Sequence, residues 1–290
     1  MPSLAALVTC YRGTNAPELR GALESLARQT RPADRILVIE DGPVSGEVRE
    51  VVDEFLAEHS EATRVALSEN RGLGLALRAG HEAAGTEFVA NLDSDDLAEP
   101  ERFERQLAYF ADHPELDVVG TAVQEFDGDR LPTGAESDPE ALHRVAGQVR
   151  RLPESHEAIA RYARINSPVN HPSVMVRAAA VAAAGGYRDV PLLEDYDLWV
   201  RMIARGSRFA NLPEPLTWLR VSDSQFQRRT GKKVRASERA LQNTLVELGL
   251  VSRPRAILNL ALRDGYRMLP EAALRRAYGL LFHRRDPRDV

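Results

Sequence analysis

"EFVANLDSDDLAEPERFERQ", residues 87–106, sets an apolar run directly against three acids and then a helical pattern. Phe88 to Leu92 is a short run bounded by turn residues, which reads as a buried strand. Asp93, Asp95 and Asp96 follow at once. Like charges at that spacing repel one another, so they face water, cap the next helix, or hold a cation. Pro100 and the acids suit a helix start, where the dipole favours negative charge. One aspartate is enough for that. Three after a buried strand favour a divalent ion. Period-two alternation places Asp95 on the same side as Asp93. Two carboxylates completed by substrate phosphates are a usual Mg²⁺ or Mn²⁺ arrangement. A calcium loop ending at Glu104 is excluded, because its sixth position is Ala98 where the turn needs glycine.

Outward from this stretch the chain alternates. "LAALVTC" (4–10), "DRILVIE" (34–40) and "TRVALS" (63–68) read as strands. "APELRGALESLARQT" (16–30), "GEVREVVDEFLAEHS" (46–60) and "GLGLALRAGHEAAG" (72–85) carry helical spacing. After the helix 101–114 comes a strand, "LDVVGTAVQEF" (116–126). Such alternation predicts an α/β fold, with a mostly parallel, Rossmann-like central sheet and helices on both faces. Ligands of such sheets bind at the carboxyl ends of the strands. "TCYR", "EDG", "ENRG" and "DSDD" each follow one of the first four strands, so four polar clusters converge on one edge.

Beyond that, residues 127–155 read as loop with at most one short helix. "SHEAIARYARI" (155–165) is helical, and "NSPVNHPSVMVR" (166–177) is a loop entering a strand. "RAAAVAAAGGYRD" (177–189) is a helix stopped by two glycines. "LLEDYDLWVRMIARG" (192–206) is a helix opened by acids, and "RFANL" and "TWLRV" are two short strands. From Lys232 onward helical pattern dominates, with breaks near Pro254 and Pro270. We therefore expect a domain over 1–231 and a C-terminal helical extension over 232–290.

Bulk properties narrow the function. The 290 residues are 43% hydrophobic and 28% charged, a globular balance. The formal net charge of -5 excludes a general nucleic-acid binder. Residues 253–290 nevertheless carry nine arginines against four acids, or +5, leaving about -10 on the rest. The lone cysteine, Cys10, allows neither an internal disulfide nor a cysteine zinc site. The run "LAALV" is too short for a signal peptide, and no stretch is long enough to cross a bilayer. A cytoplasmic location is expected, with a peripheral position at the inner face of the membrane as an extension of it.

Several residues carry chemistry in either of two ways. Asp41, beside Glu40 in "VIEDGP", accepts hydrogen bonds from a base or ribose, or simply forms an Asp-Gly turn. Thr9, Tyr11 and Arg12 offer a hydroxyl, a stacking ring and a cation, or ordinary surface. "ENRGLGLALRAG" lacks both the dinucleotide fingerprint and the P-loop. His171 is a candidate lining residue. Glu194, Asp195 and Asp197 supply a general base or merely complement a helix dipole. Arg228 and Arg229 suit a diphosphate or a solvated loop.

Taken in order, "VTCYRG", "VIEDGP", "ENRGLGLALRAG", "NLDSDDLAEPERFERQ", "NHPSVMVR" and "LLEDYDLWVRM" resemble the family 2 inverting glycosyltransferases. The likeness runs from about residue 4 to about 230, and "NHPSVMVR…GGYRD…LLEDYDLWVRM…NLPEPL" is similar to the bacterial polysaccharide-building branch. It implies the A-type glycosyltransferase fold, a nucleoside-diphosphate sugar donor, UDP before GDP or dTDP, and a glycan or lipid-linked acceptor. It implies that Asp41 contacts the base, with Thr9, Tyr11, Arg12, Asn70 and Arg71 around it. Asp93 and Ser94 would contact the donor, Asp95 and Asp93 a Mn²⁺ or Mg²⁺, and His171, Arg228 and Arg229 would line the same site. Asp195 would be the catalytic base, with Glu194 beside it. One departure is Ser222, where relatives carry a histidine. Two rival expectations are a sugar-1-phosphate nucleotidyltransferase, whose glycine-rich basic loop "VTCYRGTNAP" does not supply, and a non-catalytic nucleotide-sugar-binding scaffold. The basic segment 253–290 invites peripheral contact with an anionic membrane, or forms a helical cap with its arginines in water.

Overall fold

The structure is a computed structural model and describes residues 2–222 and 232–267. Four short strands form its first half: β1 (Leu4–Cys10), β2 (Arg35–Glu40), β3 (Ala62–Ala66) and β4 (Phe88–Leu92). All pair in parallel in the order β3-β2-β1-β4. The register sets Cys10 opposite Glu40 and Val8 opposite Leu92, so the carboxyl ends share one edge. Alternate residues feed two separate apolar layers. Leu4, Ala6, Val8, Ile36 and Val38 pack with α1 (Ala16–Ala27), α2 (Gly46–Glu58) and α4 (Arg102–Asp112). Ala5, Leu7, Leu37 and Ile39 pack with α3 (Leu73–Ala84) and, further on, Trp199 and Phe209. The side chains of Asn15 and Ser45 cap α1 and α2 by accepting the N–H groups of Glu18 and Val48.

The second half adds antiparallel strands. It comprises β5 (Leu97–Ala98), β6 (Val118–Asp127), β7 (Ala146–Arg150), β8 (Met175–Arg177) and β9 (Phe209–Val221). β8 lies between β4 and β6, antiparallel to both, and β9 runs parallel to β6. The long pairings are therefore parallel, while those of β8 and β5 span only two or three residues. The helices of this half are α5 (Pro139–Arg144), α6 (His156–Tyr162), α7 (Ala178–Ala183), α8 (Glu194–Ala204), α9 (Lys232–Glu247) and α10 (Arg253–Arg267).

Two local expectations need correction, while the break expected near Pro254 is present and Pro270 lies outside the described residues. "RFANL" and "TWLRV" are one strand, because the register skips from Thr121–Leu212 to Ala122–Pro215 and so bulges out Pro213 and Glu214. Residues 127–155 contain β7 as well as α5, since backbone pairing to β6 holds a segment with no apolar alternation. The late helical break falls at 248–252, and Pro254 sits in the first turn of α10, where its missing N–H costs nothing. α9 and α10 share an apolar cluster, Leu241, Leu245, Val251 and Ala256, with Tyr196 and Val200 of α8.

Candidate active site

A cleft of about 530 Å³ opens at the carboxyl edge of the sheet. Asp93, Asp95 and Asp96 line one wall and Glu194 and Asp195 another, with His171 between them. Residues a hundred positions apart in the chain thus share one cavity.

The three aspartates have different fates. The chain turns after Leu92, with the Asp96 N–H bonded to the Asp93 carbonyl. Strand alternation therefore does not place Asp95, contrary to the reading from spacing; the turn does. Asp93 and Asp95 stay partly exposed, whereas Asp96 is buried. Its Oδ1 accepts the Arg220 backbone N–H at 2.8 Å and its Oδ2 has no partner. Burial, then the charges of Asp95 and Asp93, hold the Asp96 carboxyl well above its ordinary pKa. Arg220 fixes this loop from β9. Its Nε donates to the Asp95 carbonyl at 3.0 Å, and its guanidinium lies beside Glu136 and Glu18 and over the Phe126 ring.

Asp93 leans on a buried polar network. Its Oδ1 faces His171 Nδ1 at 3.2 Å. On the other side of that ring, Nε2 lies 3.3 Å from the Tyr187 hydroxyl and 3.4 Å from Asn91 Nδ2. Asn91 donates to Tyr187 at 2.9 Å and faces His81 at 3.2 Å. Burial lowers the His171 pKa, but the Asp93 hydrogen bond and the charges of Asp93, Asp195 and Glu194 outweigh it, so the net shift is upward. His81 has no such carboxylate and burial takes it down to about 4. Below the loop, Arg102 of α4 donates to the carbonyls of Asn91 and Val174, tying β4 to the strand entry at β8.

The second acid cluster sits at the start of α8. Asp197 turns inward and pairs with Arg201 at 2.8 Å, both buried. Glu194 is buried at the cleft wall, where burial and then the Asp195 charge raise its pKa to about 7. Asp195 is less buried and Ser167 Oγ donates to its Oδ2 at 3.4 Å. Leu192, at φ 67°, is the single non-glycine residue with positive φ among the described residues. It lines the cleft just before this cluster, a placement typical of strain kept at a site.

The donor-side residues form a neighbouring group at the ends of β1 to β3. Asp41 is buried and acts across loops: its Oδ1 and Oδ2 accept the N–H groups of Arg71 and Gly72 at 2.7 and 3.0 Å. It thereby fixes the loop that leads into α3, just ahead of the first residue of that helix. Asn70 Nδ2 donates to the Asp41 carbonyl at 3.1 Å. Gly42, at φ 77°, lets the loops touch; a Cβ there would lie 2.4 Å from the Asn70 nitrogen. Gly74 does the same on the other side, since a Cβ would meet the Arg188 carbonyl at 2.3 Å and Glu194 Cβ at 3.1 Å. The glycines of "ENRGLGLALRAG" thus do more than open a helix. Thr9 is partly buried, while Tyr11, Arg12 and Arg71 are exposed on the same edge, and Ser94 sits in the acid turn. Arg228 and Arg229 lie outside the described residues. Among the described residues no group of three or more His, Cys, Asp or Glu side chains is arranged to hold a metal ion.

Spacing alone missed Arg220, Arg102, Asn91 and Tyr187. The first two are arginines inside apolar or helical patterns, a signal of burial in need of acceptors.

A doubly covered sheet with donor-side loops at one edge and two acid clusters in one cleft defines a glycosyltransferase of the A-type fold. The chain belongs to Glycosyl transferase family 2, whose sequence profile matches residues 6–181. It is 35% identical to the amylovoran biosynthesis glycosyltransferase AmsE of Erwinia amylovora, over 94% of this chain and 97% of that one. It is 29% identical, over 93% and 92%, to an Escherichia coli UDP-Gal:alpha-D-GlcNAc-diphosphoundecaprenol beta-1,3-galactosyltransferase. Among solved structures, S. aureus TarS 1-349 in complex with UDP-GlcNAc superposes with a TM-score of 0.64. That likeness covers 97% of this chain and 73% of the other at 14% identity, and concerns the fold.

Proposed function

We propose that the protein is an inverting glycosyltransferase that moves a sugar from a UDP-linked donor to a hydroxyl of a glycan or lipid-linked acceptor of a bacterial surface polysaccharide. The observation that carries this is the shared cleft: Asp93, Asp95, Glu194 and Asp195 all line one cavity of about 530 Å³. The names of the amylovoran and galactosyltransferase relatives, and the UDP-GlcNAc held by TarS, support the donor and acceptor classes.

In this reading Asp41 orders the loop 70–72 and so shapes the pocket for the base, with Thr9, Tyr11, Arg12 and Arg71 around it. Asp93, Ser94 and Asp95 meet the diphosphate. Two partly exposed carboxylates in one turn of the cleft fit a Mg²⁺ or Mn²⁺ that arrives with the nucleotide and is shared with its phosphates. Such an ion neutralises the charge that grows on the leaving diphosphate. His171 keeps Asp93 turned toward the cleft. Asp195, oriented by Ser167, takes the proton of the acceptor hydroxyl as that oxygen attacks the anomeric carbon from the face opposite the diphosphate, which inverts the centre. Glu194, held near a pKa of 7, is partly protonated at neutral pH and donates a hydrogen bond to a substrate oxygen. Residues 1–231 carry this chemistry, and α9 and α10 of the C-terminal extension border the cleft, where Glu238 and Arg263 line it. No helix among the described residues is long and apolar enough to cross a membrane. Peripheral contact through 253–290 would bring a lipid-linked acceptor to the cleft.

The test is incubation with UDP-, GDP- and dTDP-sugars and a diphosphate-lipid acceptor, followed by product analysis. Release of UDP with an inverted glycosidic bond by NMR is the expected result. In a parallel incubation with a nucleoside triphosphate and a sugar 1-phosphate, release of pyrophosphate would establish the nucleotidyltransferase instead, and binding of the sugar nucleotides without turnover in either mixture the scaffold.

A further inference from the structure

α10 is amphipathic in the wrong sense for a surface helix. Its inward face carries polar groups: Asn259 is buried, donating to Gln242 Oε1 and the Arg164 carbonyl at 3.0 Å each. Arg263 reaches Glu238 at 3.0 Å and the Ile165 carbonyl at 2.8 Å. The outward face carries Ile257, Leu258, Ala261 and Leu262, of which the three large side chains are 68%, 48% and 61% exposed. These positions share one stripe at helical spacing. Ile165, on the loop that Arg263 holds, is exposed as well. A soluble cap would turn Asn259 and Arg263 to water and the leucines inward. Here the apolar side chains are left for something outside this chain's described residues.

We propose that this stripe docks on an anionic phospholipid surface. Charge supports lipid over a protein partner. The sequence from 253 to 290 is +5 while the rest is about -10, and the exposed Arg253 and Arg255 stand at the start of the stripe. Outward apolar residues flanked by arginine are the pattern of an interfacial helix on acidic lipid. Size supports it too. The stripe offers on the order of 300 Å², well under the roughly 800 Å² per partner that a stable protein interface buries. Its position fits as well: the opposite face of α10 reaches the cleft through Arg263, so this one helix would lie between a membrane and the cavity. This extends the reading of a lipid-linked acceptor, but vesicle binding is measured without donor or acceptor and does not depend on it.

The experiment is co-sedimentation of the full chain with vesicles of phosphatidylglycerol and phosphatidylethanolamine, and with phosphatidylcholine alone. Binding to the acidic vesicles is expected, weaker on phosphatidylcholine and weakened by salt. The double variant Leu258→Asp/Leu262→Asp should partition at least tenfold less. Its thermal midpoint should be unchanged, because both side chains already face water; Leu258→Ser/Leu262→Ser serves if the first variant does not fold. Wild-type protein left in the supernatant with both vesicles would overturn the proposal, and so would equal pelleting of the variant. Self-association by light scattering that the variant abolishes, with no vesicle binding, would overturn it in favour of a second copy. Vesicle binding with no sugar transfer would leave the proposal standing and remove the catalytic reading alone.

Discussion

Two segments of this chain look alike on paper: "DSDD" at 93–96 and "EDYD" at 194–197 each place three acids in four positions. The fold treats them alike up to a point. Each sends its last acid, Asp96 or Asp197, into the interior and leaves the others at the cleft. They differ in how the buried acid is neutralised. Asp197 has its own arginine one helical turn on, Arg201, in a fully buried pair. Asp96 has only a backbone N–H from Arg220, whose guanidinium serves the Asp95 carbonyl, Glu136 and Glu18. One acid is fixed by a paired guanidinium, the other by a single backbone N–H. The first arrangement anchors a helix start, while the second holds a turn whose remaining charges are kept for a ligand.

The sharpest way to break this comparison is to separate the cleft acids from the buried ones. Asp195→Asn should lower kcat roughly 10²–10⁴-fold, as loss of a general base does, with donor affinity unchanged. Equal activity in a steady-state assay would remove Asp195 as the base. Next come the two arginines. Arg201→Met should cost about 3–5 kcal/mol in urea unfolding, because Asp197 is left as a buried unpaired charge. Arg220→Met should cost a similar amount and also weaken nucleotide binding, since it frees the Asp95–Asp96 turn. If both variants bind nucleotide equally, Arg220 does not shape the donor site.

Glu194 gives a smaller effect with a clear pH signature. Its folded pKa, about 7, lies above the ordinary value of 4.5, so the folded state binds the proton more tightly. The stability this confers is complete below about pH 4.5 and is lost as pH rises through 7. Glu194→Gln should therefore gain stability over wild type across that window, levelling off above it at about 3 kcal/mol. A flat difference between pH 4 and 8 would contradict the assigned burial. Smallest of all, Asp96→Asn should change stability by under about 1 kcal/mol at neutral pH. An amide keeps the acceptor for the Arg220 N–H and removes a charge that burial and the neighbouring Asp95 and Asp93 already disfavour. Asp197→Asn, by contrast, should cost about 3 kcal/mol or more by stranding Arg201. Equal costs for the two would erase the distinction.

Much of this was legible in the sequence where physics is local. Strands β1, β2 and β4 are apolar runs because both faces are covered, and the helices between them show a 3.6-residue period. That sufficed to put Asp41, Asp93 and Asp95 on one edge. What was hidden depends on distant partners. β5 is two residues long and β7 has no apolar pattern, so only pairing to β9 and β6 defines them. The antiparallel insertion of β8 leaves no trace in its three residues. Strand alternation misplaced the origin of Asp95's position because the strand stops at Leu92 and a turn takes over. The inverted face of α10 was masked because its leucines fit a helical period equally well facing in or out.

The central claim is that the "DSDD" turn is a donor site completed by a metal and a nucleotide. Calorimetric titration with UDP, with and without Mn²⁺, tests it most directly in wild type and Asp95→Ala. The account predicts metal-dependent binding in the wild type that Asp95→Ala loses, with the fold intact by circular dichroism. UDP binding of equal strength in both proteins, or none in the wild type with the metal present, would contradict it and return these aspartates to a helix cap with surplus charge.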